Sequence, residues 1–217
     1  MYKRQVLTID DCTFDTNVAV YGGGLNIFDS SSMTMTNSTF VDNDATGYGG
    51  GLRCYEGASI TVSDTTFSGD SAVGDGGAAE LVRCTGSFTN VDVTATDAGN
   101  EGGGFWTDTD LTLDEVTVDG ADAFLGGAVY LSYGIGDVAD VSGGDYSNNT
   151  ADYGGVFYTY LTAGTAYLNV TDTTFSGNTA NVTGDGVRYN DGSFAVSYNL
   201  LSPTSFTCRG NGFGCYD

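Results

Sequence analysis

Apolar residues in this chain recur on two scales. Over short stretches they alternate with polar ones, as in Leu7-Thr8-Ile9-Asp10 and Met33-Thr34-Met35-Thr36. That is the period-2 signature of a strand with one covered face. Over longer stretches the alternation itself returns every 25–29 residues, from about Val6 to Asn190. Aligned on an apolar anchor, the copies place Phe14, Phe40, Phe67, Val93, Val118, Tyr146 and Phe175 in one column. Five residues earlier stand Ile9, Met35, Val62, Phe88, Leu113, Val141 and Val170. Seven earlier stand Leu7, Met33, Ile60, Gly86, Leu111, Ala139 and Leu168. Five residues after the anchor the residue is alanine in every copy: Ala19, Ala45, Ala72, Ala98, Ala123, Ala151 and Ala180. Such invariance is far beyond chance and marks an inward position.

Turn-forming residues punctuate the same frame. Three before the anchor come Asp11, Asn37, Asp64, Asn90, Glu115, Gly143 and Asp172, and three after it Asn17, Asn43, Asp70, Thr96, Ala121, Asn149 and Asn178. Asn, Asp and Gly tolerate left-handed backbone and bond their own turn, so both columns are expected to be corners. A triplet beginning GG (Gly22, Gly49, Gly76, Gly102, Gly126, Gly154) marks a third corner. Each copy then reads as short strands separated by sharp corners, and no segment reads as a helix. One copy cannot bury its apolar face alone, whereas stacked copies do, each strand pairing with its equivalent in the next coil at ~4.8 Å. The pattern predicts an all-β fold, a parallel β-helix of about seven rungs plus a partial C-terminal rung led by Phe194 and Val196. Uneven corners and long rungs favour the right-handed form. We expect one β-helix domain over 6–201, a foreign or truncated end at 1–5, and a cap or tail over 202–217. The longer corners "SYGIG" and "LTAGTA" should protrude.

Charge narrows the partners. The chain carries 28 acidic against six basic residues, a net charge of −22, and no histidine. That field disfavours nucleic acid and anionic lipid, whose binding relies on Lys and Arg. No apolar run approaches the length needed to span a bilayer, so no membrane insertion by this segment is expected.

The triplets "GGGL", "GGAA", "GGGF", "GGAV" and "GGVF", in fixed phase with "FDTN", "FVDN" and "FSGN", resemble the GG-A-[ILV] and F-x-x-N motifs of polymorphic outer membrane protein repeats. The resemblance covers about residues 6–190, although the middle rungs lack F-x-x-N. It implies a right-handed, pectin-lyase-like β-helix displayed outside a bacterial cell, often as an adhesin or autotransporter passenger. This chain contains no membrane barrel of the kind that accompanies such passengers.

Candidate chemistry is sparse. "GDGGAA" and "GIGDVA" match G-x-G-x-x-A literally, yet neither opens a helix, and no lysine follows a glycine loop. Enzymes on β-helices use histidine-assisted aspartates or an Arg or Lys base, so a chain without histidine and with Arg53, Arg83, Arg188 and Arg209 as its remaining bases is expected to be non-catalytic. A carboxylate pair working on a glycoside is the alternative. The column two residues past each glycine triplet reads Asn26, Arg53, Glu80, Trp106, Tyr130, Tyr158 and Arg188. Pointing outward, it would expose Trp106, Tyr130 and Tyr158 as an aromatic strip for a glycan or a protein, or serve as a plain cross-strand ladder. A second outer face is rich in Thr but interrupted by Asp10, Asp114 and Asp140, which speaks against an ice-binding array. No cofactor is expected. Calcium between rungs is the one metal considered, and solvated acidic turns explain the aspartates without it.

Five cysteines remain. Cys208 and Cys215 are expected to close a small C-terminal disulfide loop, in keeping with an exported protein. Cys54 and Cys84 fall three residues out of phase, ~10 Å along a strand, and are expected to stay apart. Cys12, in the small inward column of Ser38 and Thr65, is expected to be a buried free thiol. The overall expectation is a secreted or surface-exposed rod with a structural or adhesive role, and a carbohydrate-binding or polysaccharide-processing domain is the alternative.

Overall fold

Each predicted column is a line of hydrogen-bonded neighbours in the computed structural model. It describes residues 6–28, 32–56, 59–134, 136–161, 165–183, 187–190, 193–200 and 208–209. The chain winds as a parallel β-solenoid. Its strands form three sheets of 11, 7 and 8 strands, and the strands described are all paired in parallel with their equivalents one coil away. Among the described residues there is no helix. The first sheet begins with Val6–Asp10, the second with Val18–Tyr21 and the third with Leu25–Phe28.

The register follows the repeat. Phe14 lies beside Phe40, Phe40 beside Phe67, and the line continues through Val93, Val118 and Tyr146 to Phe175. The seven alanines also pair in sequence from Ala19 to Ala180. Because a parallel in-register stack repeats at the coil spacing, like side chains meet face to face. Phe14, Phe40 and Phe67 stack with centroids 4.5 and 4.6 Å apart. Phe40 and Phe67 are fully buried in one continuous core with Met35, Val62, Phe88 and Leu113. Each such side chain contributes on the order of 2 kcal/mol, so stability accumulates coil by coil.

The first corner is as expected: Asp11, Asn37, Asp64, Asn90, Glu115, Gly143 and Asp172 all have φ between 49° and 66°. The second is displaced by one residue. Its left-handed positions are Thr16, Asp42, Gly69, Ala95, Gly120, Asn148 and Gly177. The residue that follows, which the sequence suggested as the turn, instead sends its side chain inward. There Asn43 accepts from the backbone N–H and the amide of Asn17 (3.1 and 2.9 Å) and donates to the Phe14 carbonyl at 3.0 Å. Asn149 and Asn178 repeat the arrangement on Val118 and Tyr146. These residues bond the neighbouring coil and not their own turn, because a parallel stack brings the same position of the next coil within reach.

At the third corner the first glycine of each triplet takes the left-handed conformation, from Gly22 at 58° to Gly154 at 68°. The second glycine has a different reason to be glycine. A Cβ on Gly50 would collide with the carbonyl of Gly77 in the next coil, and one on Gly77 with that of Gly103. The triplet is thus a place where backbones of successive coils touch.

Two cysteine expectations are overturned. Cys54 and Cys84 form a disulfide, with Cα atoms 6.0 Å apart. Cys54 pairs in register with Leu81, so a straight strand would carry Cys84 out of reach. The strand ends at Val82, however, and Arg83 at φ 50° turns the chain inward, returning Cys84 to the core beside Cys54. Cys12 is free as expected, but exposed. Its column is buried at Ser38 and Thr65, and it lies in the first described coil, which has a neighbour on one side among the described residues. The Cys208–Cys215 pairing, and the corners at 135 and 162–164 expected to protrude, lie outside the described residues.

Candidate functional site

The glycine corner bends the chain so that the outer faces of the second and third sheets meet in a concave angle. At two rungs the residue before the triplet meets the residue two positions after it: the Arg53 guanidinium lies over Tyr48, and Glu101 accepts from the Trp106 indole. Asn26, Arg53, Glu80, Trp106, Tyr130 and Tyr158 line the bottom of this angle in strict register. One wall carries Tyr21, Tyr48, Asp75, Glu101, Leu125 and Tyr153. The other carries Phe28, Tyr55 and Val82.

The aromatic strip therefore exists, but it is not an exposed set of ring faces. Tyr130 and Tyr158 are 5% and 8% exposed, and Trp106 is half-buried. Trp106 stacks on Tyr130 at 6.3 Å and Tyr130 on Tyr158 at 5.3 Å, each within 5° of parallel. Ring faces are taken by the neighbouring rungs, so a ligand would meet ring edges. The walls explain the burial: an outward residue on a flat sheet would be exposed, whereas one at the bottom of a concave angle is flanked on both sides. The Trp106 indole N–H donates to Glu101 at 2.8 Å, tying the bottom to the wall.

The rungs at Arg53 and Glu80 carry an ion pair in place of rings. The guanidinium bonds the Glu80 carboxylate, and the two side chains are 10% and 4% exposed. It also lies over Tyr21 and Tyr55, 4.5 and 4.6 Å from their centroids, boxed by aromatic rings. Burial holds the Glu80 carboxyl above its ordinary range, and the hydrogen bond and charge of Arg53 oppose that. Two further carboxyls share the corner with no cation of their own on this wall. Burial, with the like charges of Glu101 and Glu80, pushes Asp75 up to about 7. Burial raises Glu101, while hydrogen bonds from Trp106 and Tyr130 pull the other way. Tyr130 is raised in turn, by burial and then by the charge of Glu101.

On the Thr-rich face three acids are satisfied by the repeat. Thr36 donates to Asp10 at 2.6 Å, Ser142 to Asp114 at 2.7 Å and Asn169 to Asp140 at 2.7 Å, each one coil away. Among the described residues no group of three His, Cys, Asp or Glu converges as metal ligands would.

The sequence identified the column at the bottom of the corner and missed its walls. Asp75 and Glu101 immediately precede Gly76 and Gly102, in phase with Tyr21 and Tyr48. Reading the residues on both sides of each triplet as one unit would have found them.

Fold and site together define a parallel β-solenoid with an aromatic and acidic outer corner. Comparison with protein-family models, curated proteins and solved structures returns no match.

Proposed function

We propose that this is a non-catalytic, secreted or surface-exposed β-helix with a structural or adhesive role, right-handed as its resemblance to outer membrane protein repeats implies. It binds a protein or glycan along its outer corner. The observation that carries this reading is the composition of that corner. Tyr48 is exposed there, beside Asp75 and Glu101, whose charges no cation on their wall compensates. Aromatic edges offer contact area at low entropy cost, and uncompensated carboxylates select a neutral or cationic partner over a polyanion. Arg53 is an internal precedent, a cation already held by these rings and a carboxylate. The buried Cys54–Cys84 disulfide supports export, since such bonds persist in oxidising compartments.

A carbohydrate-processing domain is the second reading. It is favoured by Asp75, a carboxyl raised to about 7 beside Glu101 and Trp106, because glycosidases keep one carboxyl protonated near another that is ionised. One experiment separates the two. The purified chain is screened against glycans, polysaccharides and basic proteins for binding and for turnover, alongside a Tyr21→Ala/Tyr48→Ala/Trp106→Ala variant. Binding without turnover, lost in the variant, is the expected result. Turnover abolished by Asp75→Asn would establish the second reading, and binding that survives the triple variant would remove the corner from both.

A further inference from the structure

The interior ladder of the second corner changes chemistry at one rung. Asn17, Asn43, Asn149 and Asn178 occupy equivalent places, and Asp70 stands among them. One oxygen of Asp70 does what an asparagine oxygen does, accepting the Asn43 backbone N–H at 2.9 Å and the Asn43 amide at 2.8 Å. The other, Oδ2, sits where asparagine carries its NH2. At three equivalent rungs that NH2 donates to the anchor carbonyl of the coil before: Asn43 to Phe14, Asn149 to Val118 and Asn178 to Tyr146. For Asp70 the corresponding acceptor is the Phe40 carbonyl. Asp70 is completely buried, and its Oδ2 and the Thr96 hydroxyl of the next rung are both without a hydrogen-bond partner.

We propose that Asp70 is a proton-dependent rung. As the neutral acid it donates from Oδ2 to the Phe40 carbonyl and completes the ladder, and as the carboxylate it opposes two acceptors and weakens the stack between these coils. Among the described residues no cation answers the charge. The charged group acting on it is Asp42, which repels it, while Asn43 from the coil before, Thr96 from the coil after and Gly51 across the interior are uncharged. A Cβ at Gly51 would lie 3.0 Å from Oδ2, so this glycine leaves the acid its room. Burial pushes the Asp70 carboxyl up to about 7, against the lowering effect of hydrogen bonds from Asn43 and from the Ser68 backbone. An unfolded aspartate titrates near 3.9. The folded state therefore holds the proton longer than the unfolded one. The rung is intact at acid pH, and its contribution is lost as pH rises from about 4 to about 7.

The test is urea unfolding of the whole chain and of Asp70→Asn between pH 4.5 and 8.5. Asparagine supplies the missing N–H at every pH. The variant should already be favoured by about tenfold in folded-to-unfolded ratio at pH 5, and by up to roughly a thousandfold at pH 8, for a shift of about three pH units. Asp75→Asn is the control for a second carboxyl titrating in the same range, and the difference made by Asp70→Asn should persist in that background. A carboxyl 13C titration of the unaltered protein is independent of any variant. A protonated Asp70 at pH 5.5 supports the proposal, and ionisation complete by that pH overturns it. Equal pH slopes, or Asp70→Asn less stable than the parent at pH 8, would overturn it as well.

Discussion

Two three-ring aromatic stacks run along the described part of this solenoid, one inside and one outside. Phe14, Phe40 and Phe67 stack at 4.5 and 4.6 Å in the core, while Trp106, Tyr130 and Tyr158 stack at 6.3 and 5.3 Å in the corner. Both arise from one cause, since a parallel in-register repeat superposes equal positions of successive coils. Stacking by itself is therefore no mark of a binding site in this architecture. The two differ in their surroundings. The inner stack packs into the apolar core with its ring faces against one another and a single buried acid, Asp70, nearby, whereas the outer one is tied to Glu101 and lies beside Asp75 and the Arg53–Glu80 pair.

That difference can be tested by breaking each stack. Phe67→Ala should cost about 3–5 kcal/mol in urea unfolding, the value for an aromatic removed from a packed core. Tyr130→Ala should cost clearly less, because its ring lines an angle and not an enclosed core, and equal costs would erase the distinction. Truncating Arg53 alone, as Arg53→Ala, should destabilise by about 3–5 kcal/mol by stranding the buried Glu80 charge, and Arg53→Met/Glu80→Leu should restore most of that. Removing the Cys54–Cys84 bond by double serine substitution should cost about 2–4 kcal/mol and abolish any effect of reductant on thermal unfolding. The smallest expected change in stability is at Asp75, which is only partly buried, so that solvent screens much of its effect, as it does not at the enclosed Asp70. Its folded pKa is raised to about 7, so its contribution favours the folded state at low pH and is lost as pH rises from about 4 to about 7. Asp75→Asn should flatten that part of the pH profile, and a cationic partner bound in the corner should do the same by holding the carboxylate ionised.

The repeat frame was legible because inward positions tolerate few residue types. Seven alanines and seven anchors at fixed offsets were enough to set the registers of their own two columns, from Phe14 to Phe175 and from Ala19 to Ala180. What was not legible lies at corners. The residue of Asn43 and Asp70 looks like a turn former in the sequence, and its ladder role appears only when the equivalent residue of the next coil is alongside. Cys84 looked unreachable from Cys54 because strand spacing was applied through Arg83, where the backbone turns. Tyr130 and Tyr158 looked exposed because alternation separates inward from outward but carries no information on whether the outer surface is flat or concave.

The sequence alone determined the period, the parallel stacking and the identity of the core columns, since these follow from side-chain alternation and from which residues fit between coils. Only the tertiary structure decided which outward residues are covered, which cysteines meet and which carboxyls lack a partner. Those depend on the angle between sheets and on contacts between residues some 25–30 positions apart, and no local pattern specifies either.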